Sequence, residues 1–258
     1  MQRADLLLVE KGLAKTRTHA QRLIKNDKVE AFHKGKWQVL HKPGIKLDQE
    51  TLFKVEPDAA DQFVSRGALK LQSALERHPF ELGNKIAIDI GQSTGGFTDC
   101  LLQAGIGHVV GIEVGHDQLA EKLRQDSRVT CLEGVNARAL PQEELLHHAH
   151  DPGFDLAVMD VSFISQQKIL PSLIPLIAPE GYLISLVKPQ FEVGKKGIGR
   201  GGIVRDETLY PQVKTDIIRC CEKLNLKIID YFDSPIKGGD GNREFLLIAQ
   251  KARPDNGD

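Results

Sequence analysis

The sequence predicts an α/β fold: a Rossmann-like, seven-stranded sheet with one antiparallel strand, preceded by a small N-terminal α+β domain. From residue 85 onward, apolar runs typical of buried strands alternate with helical stretches, which indicates a doubly wound sheet. About a dozen residues separate the last two runs, and a parallel crossover usually needs at least that many as a helix, so the final strand is expected to be antiparallel. Basic residues are concentrated in the first 46 positions, which sets the N-terminal domain apart.

The composition is that of an ordinary globular protein. With 258 residues, 41% of them hydrophobic and 27% charged, the chain can build one large and one small domain. No apolar run approaches the roughly 18 residues of a membrane helix, and the charged N-terminus argues against a secretory signal. The four cysteines form no metal-spaced pair, so we expect no metal site and a reduced, cytoplasmic protein.

The N-terminal domain is predicted over residues 1–60. Its first 46 residues hold eleven Lys and Arg against four Asp and Glu, a balance of +7, whereas the rest of the chain carries −8. Such asymmetry is typical of a nucleic-acid-binding module, although a merely solvated basic surface is the alternative. We expect a first helix over residues 3–13, a second one capped by Thr16 or Thr18, and short strands around residues 34–36. The cations assigned to an RNA-facing surface are Arg3, Lys15, Arg17, Arg22 and Lys25.

The second domain is predicted over residues 61–258. Its strands are expected at residues 86–90, 108–114, 129–132, 154–161, 182–187, 227–231 and 245–249. Its helices are expected at residues 97–104, 118–125, 166–177 and 208–224.

A glycine-rich loop, residues 89–97, follows the first of these strands and opens a helix. Glycines there let a ligand approach the backbone, but the spacing is G-x-x-x-G-G and not the G-x-G-x-x-G of dehydrogenases. Glu113 ends the second strand, 22 residues beyond Gly91, where a carboxylate can accept hydrogen bonds from ribose hydroxyls. The pattern indicates a nucleotide-like ligand, with a purely structural tight turn as the alternative.

Three ionisable residues are expected to converge at one edge of the sheet. Asp160 and Lys188 each end an apolar run, and Glu244 begins the last strand. An antiparallel strand begins where its parallel neighbours end, so all three lie at the edge where open α/β sheets bind their ligands. Lys70 lies on a helix before the first strand, and periodicity alone does not place its side chain. A structural network of ion pairs is the alternative to a catalytic site.

These features together resemble a known family. The blocks at residues 64–71, 89–99, 158–165, 186–192 and 242–245 are similar to those of the hemolysin-A (TlyA) family of ribosomal RNA 2′-O-methyltransferases, a branch of the FtsJ-like methyltransferases. The N-terminal part resembles the RNA-binding domain of ribosomal protein S4. Together the two resemblances cover nearly the whole chain. They imply S-adenosyl-L-methionine as cofactor and ribosomal RNA or ribosomal subunits as partner, with cytidine as the modified nucleotide, no stable membrane association and a monomeric state.

The resemblance also implies the site residues. The family's catalytic tetrad falls on Lys70, Asp160, Lys188 and Glu244. We assign Lys188 as the general base, Lys70 as the cation that favours its neutral form, Asp160 as the group that positions both, and Glu244 as a hydrogen-bonding partner of a lysine or the ribose. The residues assigned to the cofactor are Asp89, Gly91, Ser93, Gly95, Gly96, Phe97, Glu113 and Asn136.

The resemblance extends the RNA-facing surface into the second domain. The glycine-rich stretch at residues 188–205, with five cations and one acid, is expected to be a mobile loop that faces RNA, with a merely solvated loop as the alternative. The residues assigned to RNA in this domain are Ser65, Arg66, Lys195, Lys196 and Arg200. A noncatalytic RNA-binding or ribosome-assembly factor and a membrane-lytic hemolysin are the alternative functions.

Overall fold

The computed structural model describes residues 1–253, with only the backbone of Lys196. The chain divides into two compact units, the first covering Met1–Gln62 and the second beginning at Phe63.

The N-terminal unit contains two helices, two small antiparallel sheets and a closing 3₁₀ turn. Its helices are α1 (Ala4–Glu10) and α2 (Arg17–Lys25). Its strands are β1 (Gln2–Arg3), β2 (Val29–His33), β3 (Lys36–Val39), β4 (Lys46–Leu47) and β5 (Phe53–Val55). β1 pairs with β4, and β2 lies between β3 and β5.

Local sequence signals explain the two helices of this unit. Gly12 follows α1 with a φ of +69°, a conformation that ends helices. The Thr16 hydroxyl caps α2 by accepting a hydrogen bond from the His19 backbone N–H at 3.1 Å. Leu23 and Ile24 of α2 pack with Leu8 in a buried core. The predicted helices are therefore present, each slightly shorter than expected.

The helices and strands of the second unit alternate along most of its length. They are α3 (Ala68–Arg77), β6 (Ile86–Ile90), α4 (Gly96–Gln103), β7 (His108–Glu113), α5 (Glu121–Arg124), β8 (Val129–Glu133), α6 (Gln142–Leu146), β9 (Phe154–Met159) and α7 (Leu170–Leu173). The remaining elements are β10 (Ile177–Val187), α8 (Pro189–Glu192), α9 (Leu209–Lys223), β11 (Leu226–Asp233) and β12 (Phe245–Lys251).

Seven strands form the central sheet of this unit, in the order β11-β12-β10-β9-β6-β7-β8. β12 is antiparallel to both of its neighbours, and the other observed pairings are parallel. The predicted seven-stranded sheet with an antiparallel final strand is thus confirmed. Successive residues of β10 face opposite layers: Leu183 packs in one buried cluster and Ile184 in the other, so the sheet is covered on both faces.

Two of the predicted helices are wrong in extent. The helix expected over residues 166–177 is broken into α7 and two flanking 3₁₀ turns, and Ile177 already belongs to β10. Pro171 and Pro175 explain the breaks, because each lies near the start of its short element and has no N–H to donate to an earlier carbonyl. The helix expected over residues 118–125 shrinks to the single turn α5. β10 begins five residues earlier than predicted and α1 ends three residues earlier; the other predicted strand and helix ends of the second unit differ by at most two residues.

No helix within residues 1–253 is long and apolar enough to cross a membrane. The same residues contain no group of three or more metal-ligating side chains suited to an ion.

Candidate active site

The register of the sheet brings the predicted ionisable residues to one edge. Val187 pairs with Phe245 across β10 and β12, so Lys188 and Glu244 lie directly beyond that pair on adjacent strands. Ser185 pairs with Met159, after which Asp160 leaves β9, and the Asp160 backbone N–H donates to the Ile90 carbonyl at 3.0 Å. Convergence at the carboxyl ends of the parallel strands, predicted from topology, is what the structure shows.

The four tetrad residues form two ion pairs. Lys188 Nζ lies 2.5 Å from Asp160 Oδ1 and donates to Ser162 Oγ at 3.0 Å. Lys70 Nζ donates to Glu244 Oε2 at 2.6 Å, and these two side chains are only 9% and 2% exposed. Among the described ion pairs none joins Asp160 to Lys70. Lys70 is thus paired with Glu244 just before β12 and Lys188 with Asp160, and the positioning of both lysines by Asp160 stays a prediction.

The placement of Lys70 depends on how α3 packs. Ala68, Leu71 and Ala74 of this helix are buried in the core, and Lys70 lies at the buried edge of the same face. The backbone of Gly238 covers the other end of the pair, since a Cβ on Gly238 would lie 2.5 Å from Glu244 Oε1. Neither contact is visible in the sequence, where Lys70 and Glu244 are 174 residues apart.

The two left-handed glycines of the loop at residues 91–95 serve the protein's own packing. Gly91 has a φ of +81°, and a Cβ there would lie 2.5 Å from the Asp160 backbone oxygen. Gly95 has a φ of +91°, and a Cβ there would lie 2.3 Å from Leu123 Cδ1. Gly95 is buried against Leu119 and Leu123 and lines neither of the cavities described below. Gly95 thus shapes the turn, and its assignment to the cofactor stays a prediction.

Asp89 also lies behind the loop rather than in a cavity. It is fully buried, and its Oδ2 accepts a hydrogen bond from Thr98 Oγ1 at 2.7 Å. Thr98 in turn accepts from the buried Gln92 amide at 2.9 Å. Burial raises the pKa of Asp89 to about 7. Asp89 therefore supports the loop through Thr98, its Oδ1 has no hydrogen-bond partner among the described residues, and its assignment to the cofactor stays a prediction.

A cavity of about 540 Å³ lies beside the loop, within the range typical of small-molecule sites. Ile112, Val135 and Ile169 give it apolar walls. Four of the residues assigned to the cofactor line it, namely Gly91, Ser93, Glu113 and Asn136.

Glu113 is the charged anchor of this cavity. Its two carboxylate oxygens accept hydrogen bonds from the backbone N–H groups of Ser93 at 2.8 Å and Gly115 at 2.9 Å. Each oxygen has a further lone pair, so the carboxylate can still accept from ribose hydroxyls. The combination of apolar walls and a carboxylate with free acceptor capacity fits a nucleoside cofactor.

A smaller cavity of about 150 Å³ adjoins the first one. Lys188, Ser65 and the cofactor-assigned residues Gly96 and Phe97 line it. The two cavities share Gly91, Ser93, Asp160 and Ser162. The Lys188–Asp160 pair thus stands where the two cavities adjoin.

Phe163 is a site residue that the sequence reasoning missed. Its side chain is 92% exposed, lines the larger cavity and lies 5.3 Å from the Phe191 ring, centroid to centroid. Its φ of +65° is rare for a bulky residue, and such strain is often found at functional sites. The signals in the sequence were its position three residues after Asp160 and its place in the family-like block at residues 158–165.

The N-terminal cations are less available than their count suggested. Arg3 and Arg17 both pair with the buried Asp5, at 2.8 and 3.1 Å. Arg22 pairs with Asp58 and Asp61. Over the whole unit, residues 1–62, twelve Lys and Arg face nine Asp and Glu, a balance of only +3. Lys15 and Lys25 are exposed and have no acidic partner among the described residues.

The RNA-assigned residues of the second unit lie in two places. Ser65 Oγ accepts from the Gly67 backbone N–H at 3.1 Å and lines the smaller cavity, while Arg66 beside it is exposed. Lys195 and Arg200 are exposed on the stretch between α8 and α9. The side chain of Lys196 lies outside the described part of the chain.

Comparison with known proteins gives consistent matches. The FtsJ-like methyltransferase family matches residues 63–251. The Bacillus subtilis protein YqxC is 44% identical over 252 residues, covering 95% of this chain and 84% of its own. The 16S/23S rRNA (cytidine-2′-O)-methyltransferase TlyA of Mycobacterium tuberculosis is 40% identical over 245 residues, covering 95% of this chain and 88% of its own. A solved Streptococcus thermophilus protein is 38% identical with a TM-score of 0.72, covering 97% of this chain and 88% of that chain.

The fold, the glycine loop and these matches define a methyltransferase of the class that uses S-adenosylmethionine. The chain belongs to the FtsJ-like methyltransferases and, by its relatives over most of its length, to the TlyA (hemolysin-A) family. The family resemblance inferred from the sequence blocks is confirmed.

Proposed function

We propose that the protein transfers the methyl group of S-adenosylmethionine to the 2′-hydroxyl of a cytidine ribose in ribosomal RNA. The observation that carries the proposal is the Lys188–Asp160 ion pair at the junction of two adjoining cavities. A donor in the larger cavity and a ribose in the smaller one would meet at this pair. The M. tuberculosis relative bears this activity in its name.

The donor would be held by its nucleoside. Glu113 would accept from the ribose hydroxyls, Asn136 would contact the base side of the cavity, and Ile112 and Val135 would pack against the base. S-adenosylmethionine supplies an electrophilic methyl group when bound. The backbone at Gly91 packs against Asp160. It would keep the methyl-bearing end of the donor next to the ion pair.

Lys188 would accept the proton of the attacking hydroxyl. Asp160 and Ser162 occupy two of the three positions around Nζ and leave one for the ribose oxygen. Asp160 would hold the amine in place throughout. The Lys70–Glu244 pair, buried at the end of the neighbouring strand, would add a fixed cation near the reacting hydroxyl.

RNA would reach the site along exposed cations and an exposed ring. Arg66, Lys195 and Arg200 offer charges for phosphates, and Lys15 and Lys25 offer more on the N-terminal unit, which we propose is an RNA-binding domain of the ribosomal protein S4 type. The Phe163 ring stands at the mouth of the larger cavity, as aromatic side chains do that stack on an unstacked base. The proposal places the protein in the cytoplasm as a monomer that acts on rRNA or ribosomal subunits.

The test incubates the full-length protein and radiolabelled S-adenosylmethionine with unmodified rRNA and, separately, with ribosomal subunits. We expect alkali-resistant 2′-O-methyl label at cytidine, absent with Lys188→Ala and retained with Lys227→Ala, an exposed lysine on β11 outside both cavities. Label on a base would overturn the 2′-O assignment. RNA that binds but stays unlabelled in every reaction would indicate a noncatalytic binding factor instead.

A further inference from the structure

Asn242 is a buried amide two residues before Glu244 in the sequence. It is 2% exposed, and its side chain makes both of its hydrogen bonds to a segment about 40 residues earlier. Oδ1 accepts from the Val204 backbone N–H at 3.0 Å, and Nδ2 donates to the Gly202 carbonyl at 3.0 Å. The amide therefore bridges the start of β12 to the stretch between α8 and α9.

That stretch, residues 193–205, is called the cationic loop here. It carries Lys195, Arg200 and Arg205 and contains five glycines, which lose more conformational freedom on ordering than other residues. Its own backbone contributes the isolated bridge between Ile198 and Val204 and three hydrogen bonds, from Gly199 to Ile203 at 2.8 Å and, at 3.2 Å, from Gly197 to Gly194 and from Gly202 to Gly199. These bonds each close a short turn, so the two bonds of Asn242 are the ones that tie the loop to the start of β12.

The anchor point of the loop is also the support of the tetrad. The Asn242 backbone carbonyl accepts from the Gly238 N–H at 2.9 Å, and Gly238 packs on the Glu244 carboxylate. At its other end, the loop follows Lys188 and the short helix α8. The cationic loop thus leaves the site edge beside Lys188 and returns to the same edge at Asn242.

We infer that Asn242 is a positioning residue that fastens the cationic loop to the catalytic edge and so aligns the loop cations with the RNA. The alignment of the loop cations with RNA rests on the proposed function. The attachment of the loop by Asn242 does not depend on it. Among short side chains, asparagine offers both an acceptor and a donor; aspartate keeps only the acceptor, and alanine has neither. A loop released at Gly202–Val204 would sample many conformations and hold its phosphate contacts for less of the time.

Limited trypsin digestion measures the fastening directly, because trypsin cuts after Lys195, Arg200 and Arg205. Asn242→Ala should be cleaved in the cationic loop about tenfold or more faster than the parent, since it lacks the two hydrogen bonds that restrain the loop. Asn242→Ser keeps a hydroxyl that can make one hydrogen bond, so it should give a smaller effect, and it replaces the alanine variant if that one fails to fold. Gln212→Ala, which removes an exposed amide on α9, is the matched control and should be cleaved like the parent.

A double-mutant cycle with RNA then tests the consequence. Asn242→Ala should raise KM for rRNA about tenfold while kcat and the Kd for S-adenosylmethionine change less than about twofold. In a Lys195→Ala, Arg200→Ala background the same substitution should add little, because the cations it aligns are already gone.

Unchanged trypsin cleavage in Asn242→Ala overturns the fastening. Faster cleavage with full additivity in the cycle, or with a loss confined to kcat, overturns the alignment of the cations. If the parent protein does not methylate rRNA, the proposed function is disproved. The trypsin digestion then still tests whether Asn242 restrains the cationic loop.

Discussion

Lys70 and Glu244 form an ion pair of 2.6 Å that is almost completely removed from solvent, although the two residues come from a helix before the sheet and from its last strand. Two opposite charges buried together are tolerated only while both are present, because removing one leaves the other unpaired in a poorly solvated place. The pair therefore contributes to the stability of this edge as well as to its charge, and the two contributions need separate tests.

Lys70→Ala should lower the free energy of unfolding by roughly 3–5 kcal/mol, the usual cost of breaking a buried pair. The double variant Lys70→Met, Glu244→Met removes both charges with little change in volume and should recover most of that stability. Both variants should be inactive in methyl transfer. Urea denaturation followed by an activity assay separates the effects; a double variant that regains activity together with stability would show that the pair is purely structural.

Lys188→Ala should slow single-turnover methyl transfer by about 10²–10⁴-fold with donor binding unchanged, as expected for loss of a positioned base. Lys188→Arg should not restore the rate, because a guanidinium stays protonated and cannot accept the hydroxyl proton. Near-parent rates with arginine would assign the proton to another acceptor and leave Lys188 an electrostatic role. Lys227→Ala again serves as the control.

Glu113→Gln should weaken S-adenosylmethionine binding by about 1–3 kcal/mol, because it removes the charge that accepts from the ribose and from two backbone N–H groups. Glu133 is the matched control: it pairs directly with Glu113 across β7 and β8 but binds Arg124 instead of lining the larger cavity. Calorimetry should show unchanged binding for Glu133→Gln. Equal effects of the two substitutions would contradict the placement of S-adenosylmethionine in the larger cavity.

The N-terminal cations divide into free and paired ones, and the division is testable. Lys15→Ala with Lys25→Ala should weaken RNA binding and reduce the slope of log affinity against log salt by about 0.7–0.9 for each phosphate that a lysine no longer neutralises. Thermal stability should not change. Arg22→Ala should instead lower the Tm, since it breaks the pairs with Asp58 and Asp61. A double lysine variant with parent affinity and slope would exclude these two residues from the RNA-binding surface.

The strand ends were predictable from the sequence, and the contacts made there were not. Asp160, Lys188 and Glu244 could be placed because the direction of each strand follows from the order of apolar runs and connections. The partner of Lys70 and the ion pairs of Arg22 depend on tertiary packing between distant segments, which no local pattern encodes. The sequence correctly indicated that Gly91 and Gly95 tolerate no side chain. The reason lies in the protein itself, because a Cβ at these positions would collide with Asp160 and Leu123.

Two signals present in the sequence were outweighed by others. Pro171 and Pro175 lie inside an apolar stretch with helical periodicity, and the periodicity favoured a long helix that the two prolines interrupt. Asp5, Asp58 and Asp61 are visible beside the basic head, yet the count of cations over the first 46 residues concealed how many of them are neutralised. In both cases a pattern averaged over many residues, helical periodicity or net charge, outweighed a few residues that decide the local structure.

The buried Asp89 makes a pH-dependent contribution to stability that can be isolated. Its pKa is raised by burial to about 7, whereas an unfolded aspartate titrates near ~3.9. Between these values the folded protein keeps a proton that the unfolded chain has lost, so unfolding releases one and the free energy of unfolding falls as pH rises. The fall should amount to at most about 1.4 kcal/mol per pH unit and should end once pH passes about 7. Asp89→Asn has no proton to lose and should lack this component.

The measurement is a set of urea denaturation curves for the parent and Asp89→Asn between about pH 4.5 and about pH 8.5, a range that begins above the unfolded pKa of the aspartate and passes through the folded one. The difference between the two proteins matters, because it cancels the carboxylates whose pKa is lowered by ion pairs, such as Asp230 beside Arg77. We expect the parent to lose stability relative to the variant up to about pH 7 and to run parallel with it above. Parallel curves over the whole range would mean that Asp89 is already ionised in the folded protein. Its carboxylate would then be stabilised by the hydrogen bond from Thr98 in spite of its burial.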